Sequence, residues 1–174
     1  MFDPTAFDNM KVVIEGALYD RDIQGEIVIT DRNDWLNMAK MTRSFDISFR
    51  IPNDTVIAKV EITSNLINLA AELLPAIQTE RNAGCYVKLQ FILKQLEEFN
   101  DQKINHIVMD IWGEDREILL SNQYNPLEEE NDFSTIVWVD FVRLITEDQM
   151  DDLVEMTGFI ITTLERLNSI KRKD

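Results

Sequence analysis

Between residues 44 and 63 hydrophobic and polar positions alternate almost one for one. Phe45, Ile47, Phe49 and Ile51 interleave with Ser44, Asp46, Ser48 and Arg50, the period-two pattern that turns one side of a strand toward a core and the other toward water. Pro52-Asn53-Asp54 supplies turn chemistry, and Val56, Ala58, Val60 and Ile62 then alternate with Thr55, Lys59, Glu61 and Thr63. A polar connection this short leaves no room for a crossover helix, so the two segments are expected to form an antiparallel hairpin. Near the end of the chain the period changes. Met150, Leu153, Val154, Thr157, Ile160, Ile161, Leu164 and Leu167 recur at three- and four-residue spacing, with Met156 and Phe159 widening the stripe of an amphipathic helix. Thr146-Glu147-Asp148-Gln149 in front of it spells a capping box. The expectation is a long capped helix, reaching about residue 171 and packed on a sheet.

Weaker patterns fill in the rest. Segments 11–19 and 26–30 read as strands turning at 21–25, and 106–112 and 117–121 as a hairpin about Gly113-Glu114-Asp115. Another strand is expected over 134–145. A short helix is expected from Asn33-Asp34 to Met41. A second, capped by Ser64 or Asn65, carries Leu66, Ile67, Leu69, Ala70, Leu73 and Leu74 until Pro75 stops it. Segment 86–99 mixes both periods and reads as a strand passing into a helical turn. The fold class is therefore α+β: a mainly antiparallel sheet with about three helices, including the long C-terminal one. A strand ending in threonine and running into a helix occurs over 56–74 and again over 136–167. This is a faint two-fold echo, with pseudo-halves 1–82 and 83–174 inside one domain spanning 1–174.

The chain has 174 residues, 45% of them hydrophobic, which is enough to bury a core without disulfide or metal. Its charge changes the picture more. Thirty-two acidic residues against 17 basic ones give a formal charge of -15, so the acidity decorates a folded body. Such a surface repels phosphate backbones and anionic lipid, arguing against direct nucleic-acid or membrane binding and for a basic protein partner. The basic tail Lys171-Arg172-Lys173 complements the dipole of the last helix. With no positive, apolar leader at the start and a single cysteine, Cys85, the expected location is cytoplasmic.

Candidate chemistry is sparse. One cysteine and one histidine cannot make a usual zinc site. Cys85 and His106 lie in no nucleophile–base motif, and the five glycines never cluster into a phosphate-cradling loop or nucleophile elbow. Gly158, inside the last helix, marks a close packing contact. Glu128, Glu129, Glu130 and Asp132 form an acidic loop with oxygen ligands for a hard cation, but without calcium-loop spacing, and read as a solvated run. No catalytic residue, metal or cofactor is assigned. One constellation stands out. If 106–112 and 134–145 are neighbouring strands, His106, Asp110 and Trp112 share a face with Trp138 and Asp140. That face is either a ligand or partner site or an apolar surface covered by a helix or a second copy.

These observations lead first to a non-enzymatic, cytoplasmic protein-binding or regulatory protein, a homodimer acting through an acidic surface. The second reading is a small-molecule or divalent-metal binder, or a carboxylate-based enzyme, with its site near Asp110, Asp140 and His106. The third is a mimic of nucleic acid.

Overall fold

A computed structural model describes residues 5–74, 80–95, 100–127 and 133–171. In chain order the main elements are α1 (Ala6–Ile23), β1 (Val28–Asn37), β2 (Thr42–Arg50), β3 (Ile57–Ser64), α2 (Leu66–Leu73), β4 (Cys85–Gln95), α3 (Asp101–Trp112), β5 (Glu117–Tyr124), β6 (Phe133–Ile145) and α4 (Met150–Lys171). The six strands form one sheet in the order β1-β2-β3-β4-β6-β5, with every pairing antiparallel. The class is α+β as expected, with four α-helices among the described residues where about three were expected. The first half of the chain runs helix, three strands, helix; the second runs strand, helix, two strands, helix.

The two strongest patterns form as their periods require. β2 and β3 pair from Arg43 opposite Ser64 to Phe49 opposite Ala58. Phe45, Ile47, Phe49, Val56, Ala58, Val60 and Ile62 are all buried on one side. α4 buries Leu153, Met156, Ile160, Leu164 and Leu167. A single 3-10 turn, Glu147–Gln149, precedes it, and the Gln149 carboxamide oxygen accepts from the Thr146 N–H at 3.5 Å. Asn65 caps α2, accepting from the backbone N–H groups of Ile67 and Asn68; Pro75 lies outside the described residues, as do 96–99 at the end of the expected helical turn.

Three expectations are corrected. Segment 11–19 is not a strand but the body of α1. Phe7, Met10, Ile14 and Leu18 are buried at helical spacing, and Thr5 with Asp8 closes the N-terminus as a capping box. The β-branched run Val12-Val13-Ile14 mimics a strand, yet Val12 points outward. Asn33-Asp34 caps no helix, because the Asn33 amide bonds sideways to Asp31 and Asp46 inside β1, and the chain turns only after Asn37, whose side chain accepts from the N–H groups of Ala39 and Lys40. Segment 106–112 is the second half of α3, not a strand. Asn100 caps it through the Lys103 N–H at 3.1 Å, Ile104, Ile107 and Val108 are buried, and Gly113 ends it with φ 76°. β5 therefore pairs with β6 rather than with 106–112.

One side of the sheet carries the core. Inward side chains of β2, β3, β4 and β6 join Met10, Ile14 and Leu18 of α1, Ile104 and Val108 of α3, and Ile160, Leu164 and Leu167 of α4 in a single buried cluster. The other side is differently built. Reading across the register, Asn33, Asp46, Glu61, Lys88, Asp140 and Glu117 form one transverse row, and Asp31, Ser48, Lys59, Gln90, Trp138 and Leu119 the next. Ile57, Ile92 and Ile136 lie side by side in a third. None of these apolar side chains belongs to the buried cluster or packs against it. Among the described residues the helical core covers one face of the sheet; on the other, which is the more open, Asp46 and Ser48 are buried, Ile57, Ile92, Ile136 and Trp138 are half-buried and Leu119 is exposed.

Candidate functional site

The five residues singled out in the sequence are parted by the sheet. His106, Asp110 and Trp112 lie on α3, on the covered side; Trp138 and Asp140 lie in the open-face rows of β6. His106 and Asp110 are exposed. Asp110 accepts from Arg166 of α4 at 2.5 Å, and that hydrogen bond and charge hold its carboxyl below the ordinary carboxylate range. Trp112 closes the end of α3 against α4: its indole Nε1 donates to Thr163 Oγ1 at 3.1 Å. The constellation depended on 106–112 being a strand; as a helix, the segment carries its polar residues away from β6.

Each half has found other partners. On the open face Lys88 Nζ lies 2.9 Å from Asp140 Oδ2, and Lys59 lies 3.2 Å from the nearly buried Asp46. A hollow of about 300 Å³ is bounded by Lys88, Glu117, Leu119, Trp138 and Asp140. Burial pushes the Asp140 carboxyl up, but bonds from Lys88 and from the Val142 N–H, with the lysine's charge, bring it below its usual value. The Asp140 hydrogen bond raises Lys88 in turn. A carboxylate so tied to an ammonium positions charge; it is not poised to exchange protons near neutral pH.

Just beyond Asp140 the strand breaks step. Lys88 faces Asp140 and Tyr86 faces Leu144, so β6 gains two residues over β4 in a bulge. Within it Val142 has φ 57°, the left-handed region that a β-branched side chain rarely enters. Asp140 Oδ1 holds the kink by accepting from the Val142 N–H at 2.8 Å. Phe141 turns toward the helices and meets Trp112 edge-on at 5.9 Å between ring centres. Phe159 of α4 approaches the same indole at 6.1 Å, and Arg116 lies over the Phe141 ring at 4.4 Å.

Sequence reasoning missed Lys88, Leu119, Phe141 and Arg116. Their importance follows from β4 pairing with β6 and from the bulge, neither of which leaves a local signature. Cys85 is fully buried at the foot of β4, and burial pushes its thiol up to about 12, the condition of an unreactive packing group. Among the described residues no three His, Cys, Asp or Glu side chains gather to hold a metal ion, and the Glu128–Asp132 loop lies outside them. Among them, too, no helix is long and apolar enough to cross a membrane. No protein-family model matches the chain, and neither a curated protein nor a solved structure is similar enough to compare with it.

Proposed function

We propose that this chain is a non-enzymatic protein-binding module that pairs with a second copy of itself through the open face of its sheet. The observation that carries the reading is that face. Ile57, Ile92, Ile136, Trp138 and Leu119 form an apolar patch over four adjacent strands, outside the core; Leu119 is 60% exposed and the other four are half-buried. Contiguous apolar surface on an antiparallel sheet marks an interface more often than a solvated wall.

Charge selects the occupant. The whole chain carries -15, so two copies repel over most of their surfaces. On the open face Asp31, Asp46, Glu61, Glu117 and Asp140 are interleaved with Arg50, Lys59, Lys88 and Lys94, and this side is close to charge balance. A like-charged copy meets least repulsion there, because Lys59 and Lys88 already neutralise Asp46 and Asp140 within one copy. The acidic remainder of the surface stays available to a basic protein.

The two kinds of association respond oppositely to salt. Screening relieves repulsion between two acidic copies and so tightens the homodimer, whereas it weakens capture of a basic partner. Sedimentation equilibrium is expected to show a dimer that strengthens with added salt. Trp138→Glu and Leu119→Lys, each placing charge in the patch, are expected to give folded monomers. A strict monomer at all salt concentrations, or dimers unaffected by both substitutions, would overturn the proposal.

A further inference from the structure

On the covered side, away from the open face, the end of α3, the bulged end of β6 and the first turns of α4 leave a cavity of about 260 Å³. Its walls include Trp112, Phe141, Phe159 and Met156, with Arg116 and Arg143 among them. We infer that this cavity is a binding site for a small aromatic monocarboxylate.

The apolar walls are preset. The Trp112 indole is pinned by its bond to Thr163, whose hydroxyl donates in turn to the Phe159 carbonyl at 2.7 Å. Phe141 and Phe159 both approach that indole in edge-on or tilted geometry. Three rings held at fixed angles favour a flat, apolar ligand. Phe159 is half exposed at the rim, which leaves an entry. The volume lies below that of pockets that enclose drug-sized molecules, so it suits one ring and a short side chain.

The charged groups select the ligand's other end. Among the described residues Arg116 Nε is shut off from solvent and has no hydrogen-bond partner, so a ligand meets this side chain at its terminal nitrogens, whose one hydrogen bond among those residues is a long contact of 3.4 Å to the neighbouring Asp115 carbonyl. Its guanidinium plane is steadied by the Phe141 ring. Neither Arg116 nor Arg143 takes part in any ion pair among the described residues. Arg50, Arg81, Lys40 and Lys103 likewise have no ion pair among the described residues, but Arg116 and Arg143 are the two that line this cavity, where an incoming oxyanion can accept from both. The strained Val142 fits the same account: it lies between Phe141 and Arg143, and the bulge brings both to the cavity. Asp152 and Glu155 also line the cavity. Their charge sets a ceiling on what enters, favouring a singly charged carboxylate over phosphate.

Calorimetric titration of the full chain with 3-phenylpropionate tests this, with 3-phenylpropionamide and inorganic phosphate as comparisons. The carboxylate is expected to saturate one site, and each comparison to bind at least about tenfold more weakly, the worth of one charged hydrogen bond. Arg116→Met keeps an apolar stem on Phe141 and is expected to lose about tenfold or more in affinity. Arg143→Gln alters an exposed side chain and repeats the test without touching that packing. The inference fails if 3-phenylpropionate does not saturate the wild-type chain, if the amide or phosphate binds equally well, or if both arginine variants keep wild-type affinity.

Discussion

Val142 holds a left-handed backbone, φ 57°, that its branched side chain resists, and the surrounding contacts must supply what the conformation costs. Two of them are visible: the bond from its N–H to Asp140, and the edge-on seat of Phe141 against Trp112. Glycine adopts this backbone freely, although it gains more freedom on unfolding. Val142→Gly is therefore expected to stabilise the protein by about 1 kcal/mol, read as a higher urea midpoint with unchanged slope. A drop in the midpoint would show that the valine side chain contributes packing that outweighs its strain. Asp140 has two tasks in this account, since one oxygen fixes the bulge while the other meets Lys88. Its presence beside Trp138 was legible in the sequence, but what it does there depends on a kink that no local pattern announces.

At the level of elements, the chain is legible where the pattern and the contact are local. The β2–β3 hairpin and α4 each declare their period, their turn or cap, and their buried side within about 25 residues; the structure keeps the periods and buried sides, while of the α4 cap it keeps the Gln149 arm, the Thr146 hydroxyl bonding to Asp148 instead. α3 shows why other segments mislead. Ile107, Met109 and Ile111 alternate like a strand, yet Ile104, Ile107, Val108 and Ile111 also fit a helix, and the Asn100 cap with Gly113 at the far end decides for the latter. The candidate site inherited that ambiguity: with the helical period, His106 and Asp110 turn to solvent and only Trp112 remains at a wall. The β4–β6 pairing is the other unreadable step, because α3 and β5 intervene between the two strands. Gly84 is its one sequence trace. A Cβ at this position would overlap the Ile145 carbonyl oxygen and crowd Leu144. Gly84→Ala is thus expected to cost about 1–3 kcal/mol, measured as a loss in unfolding free energy; an unchanged value would mean that the strand ends separate freely.

For the molecule as a whole, acidity sets a pH limit. Asp8, Asp110 and Asp140 are each held below the ordinary carboxylate range in the folded chain: burial opposes this at Asp8 and Asp140, and bonds to Arg43, Thr5, Arg166 and Lys88 prevail. A carboxyl lowered by folding adds stability that is complete above its unfolded value and fades as pH falls through its folded one. Thermal melts are expected to show Tm falling steeply below about pH 4. Glu72 works the other way, because burial raises it and its Oε1 has no hydrogen-bond partner among the described residues; its contribution fades as pH rises above the ordinary glutamate value. A Tm that stays level from neutrality down to pH about 3 would contradict the first assignment. The strand order carries a kinetic consequence as well. β1 through β4 can zip up in chain order, and β5 with β6, but β6 reaches β4 only after looping out α3 and β5. Folding is then expected to run from two local nuclei to one late joint, with Gly84 at its end and Lys88, Gln90 and Trp138 along it. In the proposed dimer the partner rests directly over that joint, so assembly would slow its reopening, and the lifetime of the native sheet would lengthen with protein concentration.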